Sequence, residues 1–242
     1  MQVKLHAERY EQLIDRRGRV VDWQEAEICS CWNTDSGQPS YSCTACNGKG
    51  YVYQPAIEVT AVVMSITLNK DFQEMAGMFE VGDAVMIVPK RVPTKLPNGI
   101  YDMKDFKDNP MYEIGLWDKI HLLDDEYKSS EVLIKDTPIG NRPADTLVNE
   151  LVTRVKALRK YDQVAGTVTT YLEGTDFKLI ANLISWLVGG NSPASGEQYS
   201  VVYFHKPTYV VTAALPKPRH QDGQDLPRYV VLRYLAGGVE RV

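Results

Sequence analysis

Four cysteines are the residues of this chain whose type and spacing most clearly predict chemistry. They occur as Cys29-Ser-Cys31 and Cys43-Thr-Ala-Cys46, and the 242-residue sequence contains no fifth cysteine. Two thiolate pairs on short turns, joined by a loop of eleven residues, supply the four soft ligands of a tetrahedral zinc site. A closed set of four sulfurs leaves no coordination position for a substrate, so the pattern predicts a structural zinc knuckle.

Two other states of these cysteines are compatible with the spacing, namely a pair of disulfides or four unlinked buried thiols. Zinc is favoured because nothing marks the chain as secreted and because all the cysteines fall in one short segment. The second pair continues through Gly48 and Gly50. Glycines at these positions are expected to let the backbone turn back, so that N–H groups point at the sulfurs.

Catalytic patterns are not evident elsewhere in the sequence. It contains no phosphate-binding glycine-rich loop, no HExxH and no GxSxG motif. Its four histidines are scattered, and its clustered acids fall in polar, turn-like stretches typical of solvated loops. The histidines are His6, His121, His205 and His220, and the acids are Asp102, Asp105, Asp124, Asp125 and Glu126. These observations predict a protein that is not an enzyme.

Composition and charge exclude further classes. Twenty-seven basic residues are outnumbered by 31 acidic ones, and the net charge of −4 argues against a general nucleic-acid binder. The one tight basic group, Arg16, Arg17 and Arg19, is small enough to be a solvated face. The N-terminus lacks the apolar core of a signal peptide, and no apolar run is long enough to span a bilayer. We therefore expect a soluble chain of intracellular origin that does not contact membranes.

The elements that must position the cysteines follow from periodicity. Residues 4–17 have near-helical apolar spacing and predict a short amphipathic helix. After the knuckle, stretches rich in β-branched residues predict strands at 51–53, 57–67, 112–123, 131–135, 168–172, 177–179, 184–186, 199–204, 208–212 and 229–234. Within 79–88, a Gly82-Asp83 turn is expected to lead into a buried strand that Pro89 ends. The ambiguous segment 142–160 is interpreted as a short helix near 143–150 followed by a strand.

Short strands at roughly ten-residue spacing favour a sandwich or barrel over a sheet with crossover helices. The predicted fold is mainly β, with an N-terminal helix and a small zinc-binding knuckle over residues 1–54. The mainly-β body covers residues 55–242. Proline and glycine content predicts a long loop or hairpin at 90–111 and a flexible loop at 189–197.

Several stretches together resemble structural proteins from the head–tail neck of tailed bacteriophages. The first are RGRVVDW (17–23), CSCW (29–32) and CTACNGKGY (43–51). The later ones are EGTDF (173–177), ISW (184–186), GEQYSVVY (196–203), PTYVV (207–211) and, after Arg219, LPRYVVLR (226–233). They touch about half of the chain. The cysteine segment also resembles the CxxCxGxG repeats of the DnaJ chaperone, although one half here is CxC and there is a single site.

The resemblance implies a non-enzymatic virion component, a connector or head-closure protein that assembles as a homo-oligomeric ring. Such a ring would bridge the portal or adaptor to the tail, and DNA would pass through its lumen without sequence-specific binding. A mildly acidic protein suits such a conduit. Two alternatives stay open: a tail or baseplate component with a similar β body, and a cytoplasmic zinc-ribbon adaptor for nucleic acid or a protein partner.

Overall fold

Strands are the main regular secondary structure of the residues that the structure describes. The structure, a computed structural model, describes residues 17–65, 82–95, 101–140, 142–162, 164–214, 220–221 and 224–235. The first ten strands are β1 Arg19–Gln24, β2 Ala26–Ile28, β3 Trp32–Asn33, β4 Gln38–Pro39, β5 Tyr51–Tyr53, β6 Ile57–Ser65, β7 Ala84–Val88, β8 Arg91–Lys95, β9 Tyr101–Asp108 and β10 Lys119–Leu122, with a 3₁₀ helix at Pro110–Glu113. The others are β11 Tyr127–Ile134, β12 Val152–Asp162, β13 Thr167–Tyr171, β14 Phe177–Ile180, β15 Leu183–Trp186, β16 Gln198–His205, β17 Thr208–Ala214, β18 His220–Gln221, β19 Gln224–Asp225 and β20 Arg228–Tyr234. The prediction of a mainly-β fold is confirmed.

A closed six-stranded barrel forms the first of two compact units, which takes in the described residues up to Asp124 and those from Thr208 to Tyr234. Its strand order is β1-β10-β17-β20-β7-β6, and every neighbouring pair is antiparallel. In β1, Val21 and Trp23 point into the core because side chains alternate along a strand. All five residues of β7 are buried, since apolar side chains cover both of its faces.

The cysteine segment is an insertion between two barrel strands. Strands β2 to β5 lie between β1 and β6, and they form two small ladders, β2 with β5 and β3 with β4. Strand β1 belongs to the barrel, so the barrel takes strands from both sides of this insertion. Of the two forms considered for 90–111, the structure has the hairpin, in which β8 pairs with β9.

A four-stranded antiparallel sheet of order β11-β16-β12-β13 is the centre of the second unit, which spans Asp125–Pro207 in the described part of the chain. The β14–β15 hairpin adds a separate two-stranded ladder. One face of the sheet buries Leu133, Leu158, Tyr171, Tyr199 and Val201. Residues 187–197 contain no strand, in agreement with the predicted loop at 189–197.

The predicted helix at 143–150 is wrong. Residues 142–150 form turns and isolated bridges, and Thr146 pairs with Leu183 of β15. The backbone N–H of Leu147 donates to Asn182, and that of Ile184 donates to the Asp145 carbonyl, so these groups bond across to another segment. Leu147 and Leu158 are both buried core residues, but Leu147 lies on a turn and Leu158 on a strand, so they do not share one helix face.

Two sequence expectations concern the ends and surfaces of the chain. The predicted helix at 4–17 lies outside the described residues except for Arg17, and nothing in the described residues supports it. In the part of the chain that the structure covers, no helix is long and apolar enough to cross a membrane.

Candidate metal centre

The four cysteines sit on two turns that a short strand pair holds together. Cys29 and Cys31 follow β2, whereas Cys43 and Cys46 lie between β4 and β5. Pairing of β2 with β5 aligns Ile28 with Tyr51, and the N–H of Cys29 then donates to the carbonyl of Gly50 at 2.8 Å. Residues far apart in the loop are therefore fixed at the same end of one ladder.

The sulfur positions match a four-coordinate metal site. Sγ of Cys29 lies 3.8 Å from Sγ of Cys43, and Sγ of Cys31 lies 3.5 Å from Sγ of Cys46. All four sulfurs lie within 4.8 Å of one another. A regular tetrahedron with metal–sulfur bonds of about 2.3 Å has sulfurs about 3.8 Å apart, whereas a disulfide bond is about 2.05 Å long. The cysteines are free thiols, and the cluster could hold one metal ion.

Glycines shape the second turn. Asn47, Gly48 and Gly50 all have positive φ, as the predicted backbone reversal requires. A Cβ on Gly50 would lie 2.7 Å from the Trp32 ring, so a side chain there would displace the indole. The amide of Lys49 bonds the carbonyl of Cys46 and closes the turn.

The surroundings shift the pKa values of two of the thiols in opposite directions. The pKa of Cys43 is lowered to about 6, first by the backbone N–H of Cys46 and then by the Cys31 thiol and the Ala45 amide. Desolvation raises the pKa of Cys31 to about 12. The amides that interact with the Cys43 sulfur thus lie within the CxxC turn itself. Without a metal the four sulfurs share protons, because four adjacent thiolates repel one another; a bound cation removes that repulsion.

Burial indicates a closed centre. Cys29 and Cys46 are 4% exposed each, and Cys31 and Cys43 are partly buried. Four protein sulfurs complete a tetrahedral shell, so such a centre has no position for water or substrate. What it can do is cross-link two turns that have very little apolar core of their own.

An aromatic stack packs the knuckle against the barrel. The Tyr51 ring lies 5.4 Å from the Trp117 ring at an interplanar angle of 24°, and the Trp32 ring lies 6.0 Å from the Tyr51 ring, tilted by 54°. Trp117 has a φ of 72°, which is uncommon for a residue with a side chain. Its backbone N–H donates to the carbonyl of Val211 on β17. The barrel thereby presents an indole to the knuckle.

Asp118 ties the same turn to the start of the knuckle. Its carboxylate accepts hydrogen bonds from Trp23 Nε1 at 2.8 Å, from the Ala26 amide at 2.9 Å and from the Gly115 amide at 2.9 Å. Asp118 is 2% exposed. Sequence reasoning missed this residue because residues 112–123 look like one strand, although the Gly115-Leu-Trp-Asp118 order is a turn signal.

Among the residues that the structure describes, the other sequence candidates do not converge on a site. His121 is buried and bonds Thr208 and Gln24, whereas His205 is buried in the second unit and bonds Ser129 and the Lys206 carbonyl. Asp102 and Asp105 lie on β9. The carboxylate of Asp124 accepts a hydrogen bond from the Val20 amide, and Asp125 follows it in the chain. Glu126 forms a salt bridge with Arg154. His6 and Arg16 lie outside the described residues, and the side chain of His220 is not described. Within the described ranges, the cysteines are the only group of three or more potential ligands close enough to share an ion.

Comparison with known proteins leaves the geometry as the main guide to function. No protein-family profile and no curated protein matches this sequence.

Proposed function

We propose that Cys29, Cys31, Cys43 and Cys46 bind one structural Zn²⁺. Four cysteine sulfurs within 4.8 Å of one another support this choice, because soft sulfur ligands in a closed tetrahedron are typical of structural zinc. The ion would link the turn after β2 to the turn before β5, and so fix the knuckle on which Trp32 and Tyr51 are displayed.

We propose further that the protein is a structural component of a tailed-bacteriophage virion, located in the neck. It would form a ring between the portal or adaptor and the tail. The observation that carries this proposal is the packing of the knuckle on a closed β-barrel. A body of this kind, with its knuckle held by a bound ion, suits assembly into a particle better than catalysis. The sequence stretches that resemble neck proteins supply the location.

The packing of the knuckle also bears on the zinc-ribbon adaptor. An adaptor that reads nucleic acid would present its knuckle to the partner, whereas here Tyr51 is stacked on Trp117 and Ala26 is bonded to Asp118. The mild negative charge of the chain suits a channel through which DNA slides. The tail or baseplate alternative shares these properties and differs only in position.

Quantitative mass spectrometry of purified, DNA-filled particles tests the proposal. A neck ring predicts that the chain is recovered at several copies per particle, in constant ratio to the portal protein. Recovery only in the soluble fraction of infected cells would contradict it and favour the adaptor. A tailless head fraction that retains the chain would separate a neck position from a baseplate position.

A further inference from the structure

The central sheet of the second unit has two open edges. Its order is β11-β16-β12-β13, and in the described part of the chain no further strand pairs with β11 or with β13. Each edge strand therefore carries a row of backbone N–H and C=O groups directed away from the sheet. Such a row is a template for a strand from another chain.

The β13 edge lacks the features that normally protect a free edge. Thr167, Val168, Thr169 and Thr170 are all exposed. The strand contains no proline, no glycine and no charged residue, and it has no register shift against β12. Natural proteins usually place lysine, proline or a bulge on an edge that stays in water. An uncharged, regular edge of this kind is suited to pairing with a strand of a partner.

Strand direction allows the partner to be a second copy of the same chain. Because all three neighbouring pairs are antiparallel and the sheet has four strands, β11 and β13 run in opposite directions. A second copy placed beside the first in the same orientation brings its β11 next to β13 of the first. The two strands are then antiparallel, and the sheet continues without a break. Repetition of this head-to-tail contact closes a ring when the rotation between copies allows it.

Side chains on the two edges also match. The register links Val132 to Ser200, Ser200 to Arg159, and Arg159 to Thr170, so Val132 lies on the same face as Thr170 and Val168. Val132 is 55% exposed and Val168 is 54% exposed. With Val168 opposite Val132 of the next copy, Thr170 falls opposite Ser130. Apolar and hydroxyl cross-strand pairs of this kind stabilise sheets.

We propose that β13 of one copy pairs with β11 of the next copy, with Val168 opposite Val132, and that this contact builds the homo-oligomer. The proposal deepens the proposed ring function and rests on it for its biological setting. It makes the edge strands, and not the metal knuckle, the subunit contact.

A charge exchange tests the contact and its polarity in the full-length protein. Val168→Glu or Val132→Lys alone places a charge in every interface, and we expect each to weaken association at least tenfold, equivalent to about 1.4 kcal/mol. An equimolar mixture of the two variants should reassociate, because its junctions alternate between a Glu–Lys pair and the native Val–Val pair. Light scattering over a dilution series measures both effects. Val188→Glu, an exposed valine outside the edge strands, is the matched control and should associate like the native chain.

Several results would overturn the proposal. A native chain that is monomeric throughout the series would do so, and so would single variants that associate normally. A mixture that stays dissociated would exclude the head-to-tail contact. Circular dichroism of each variant checks that the fold is retained. If the chain is found in particles but neither substitution changes its association, the edge contact is wrong and the neck function is retained. If association responds as expected but the chain is absent from particles, the neck function is wrong and the edge contact is retained.

Discussion

At the scale of single residues, the cysteines and a few buried polar groups determine local stability. Replacing Cys43 by Ser removes one sulfur from the cluster and should loosen the knuckle before the barrel. Zinc binding supplies roughly 10–16 kcal/mol to comparable small sites, so the loss at this segment is large. Hydrogen exchange of the 26–53 amides should accelerate strongly, whereas Ser42→Ala, a change of an exposed neighbour, should leave it unaltered. Equal protection in both variants would contradict a bridging metal.

His205 is expected to make the stability of the second unit sensitive to acid. It is fully buried, its Nδ1–H donates to the Lys206 carbonyl, and its Nε2 accepts from Ser129, so it is held neutral and its pKa is lowered by desolvation. The unfolded chain binds a proton below pH of about 6.5, which the folded chain does not bind until lower pH. Stability is therefore expected to fall as the pH decreases from about 6.5 towards the folded pKa, by up to about 1.4 kcal/mol per pH unit.

Urea unfolding followed by tryptophan fluorescence at pH 7.5 and 5.5 measures this effect. His205→Gln keeps a polar side chain but does not titrate, so its loss of stability between the two pH values should be smaller than that of the native chain. An identical loss in both proteins would show that His205 does not contribute to the pH dependence.

At the scale of elements, the Asp118 turn joins the knuckle to the barrel. Asp118→Ala removes the acceptor for the Trp23 indole and for the amides of Ala26 and Gly115. Each buried donor left without an acceptor costs about 1–3 kcal/mol and three donors are affected, so we expect the free energy of unfolding to fall by about 3 kcal/mol or more. Asp35→Ala, an exposed aspartate of the knuckle, should change it little. Urea titration of both variants checks this, and equal stabilities would refute the role of Asp118.

Local pattern was sufficient for many strands but not for their partners. β5, β6 and β7 are predicted by runs rich in β-branched residues, and β7 is bounded by turn residues, with Gly82 before it and Pro89 after it. The barrel order, with β10 between β1 and β17, depends on contacts between distant segments that no local pattern encodes. The helix prediction for 143–150 failed for the same reason. Asp145 has a φ of 56°, and its carboxylate accepts a hydrogen bond from the distant Tyr199 hydroxyl.

The cysteine cluster was predictable because all four cysteines lie in one short segment. Sequence spacing alone predicted Cys29, Cys31, Cys43 and Cys46 as one group, and the sulfurs do lie together. The contacts that hold the knuckle were not predictable, since Trp117 and Asp118 lie about 70 to 90 residues further along the chain than the residues they contact. Contacts of that separation depend on barrel closure.

At the scale of the whole molecule, charge limits what the chain can bind. With 27 basic and 31 acidic residues, we expect weak binding of duplex DNA that is independent of sequence. Contacts from Arg16, Arg17 and Arg19 alone would give a slope of about −2.7 for log affinity against log salt, at roughly 0.9 per phosphate. A mobility-shift titration at ~150 mM salt measures this. Sequence-selective binding in the nanomolar range would favour the zinc-ribbon adaptor.

The position of the chain in the particle tests the central claim most directly. A compact epitope tag on the chain, imaged by electron microscopy of purified particles with a gold-labelled antibody, locates it without reference to its fold or its metal. The neck proposal predicts label at the head–tail junction of complete particles, arranged around the channel axis. Label at the distal end of the tail, or no label on washed particles that still contain the portal, would contradict it.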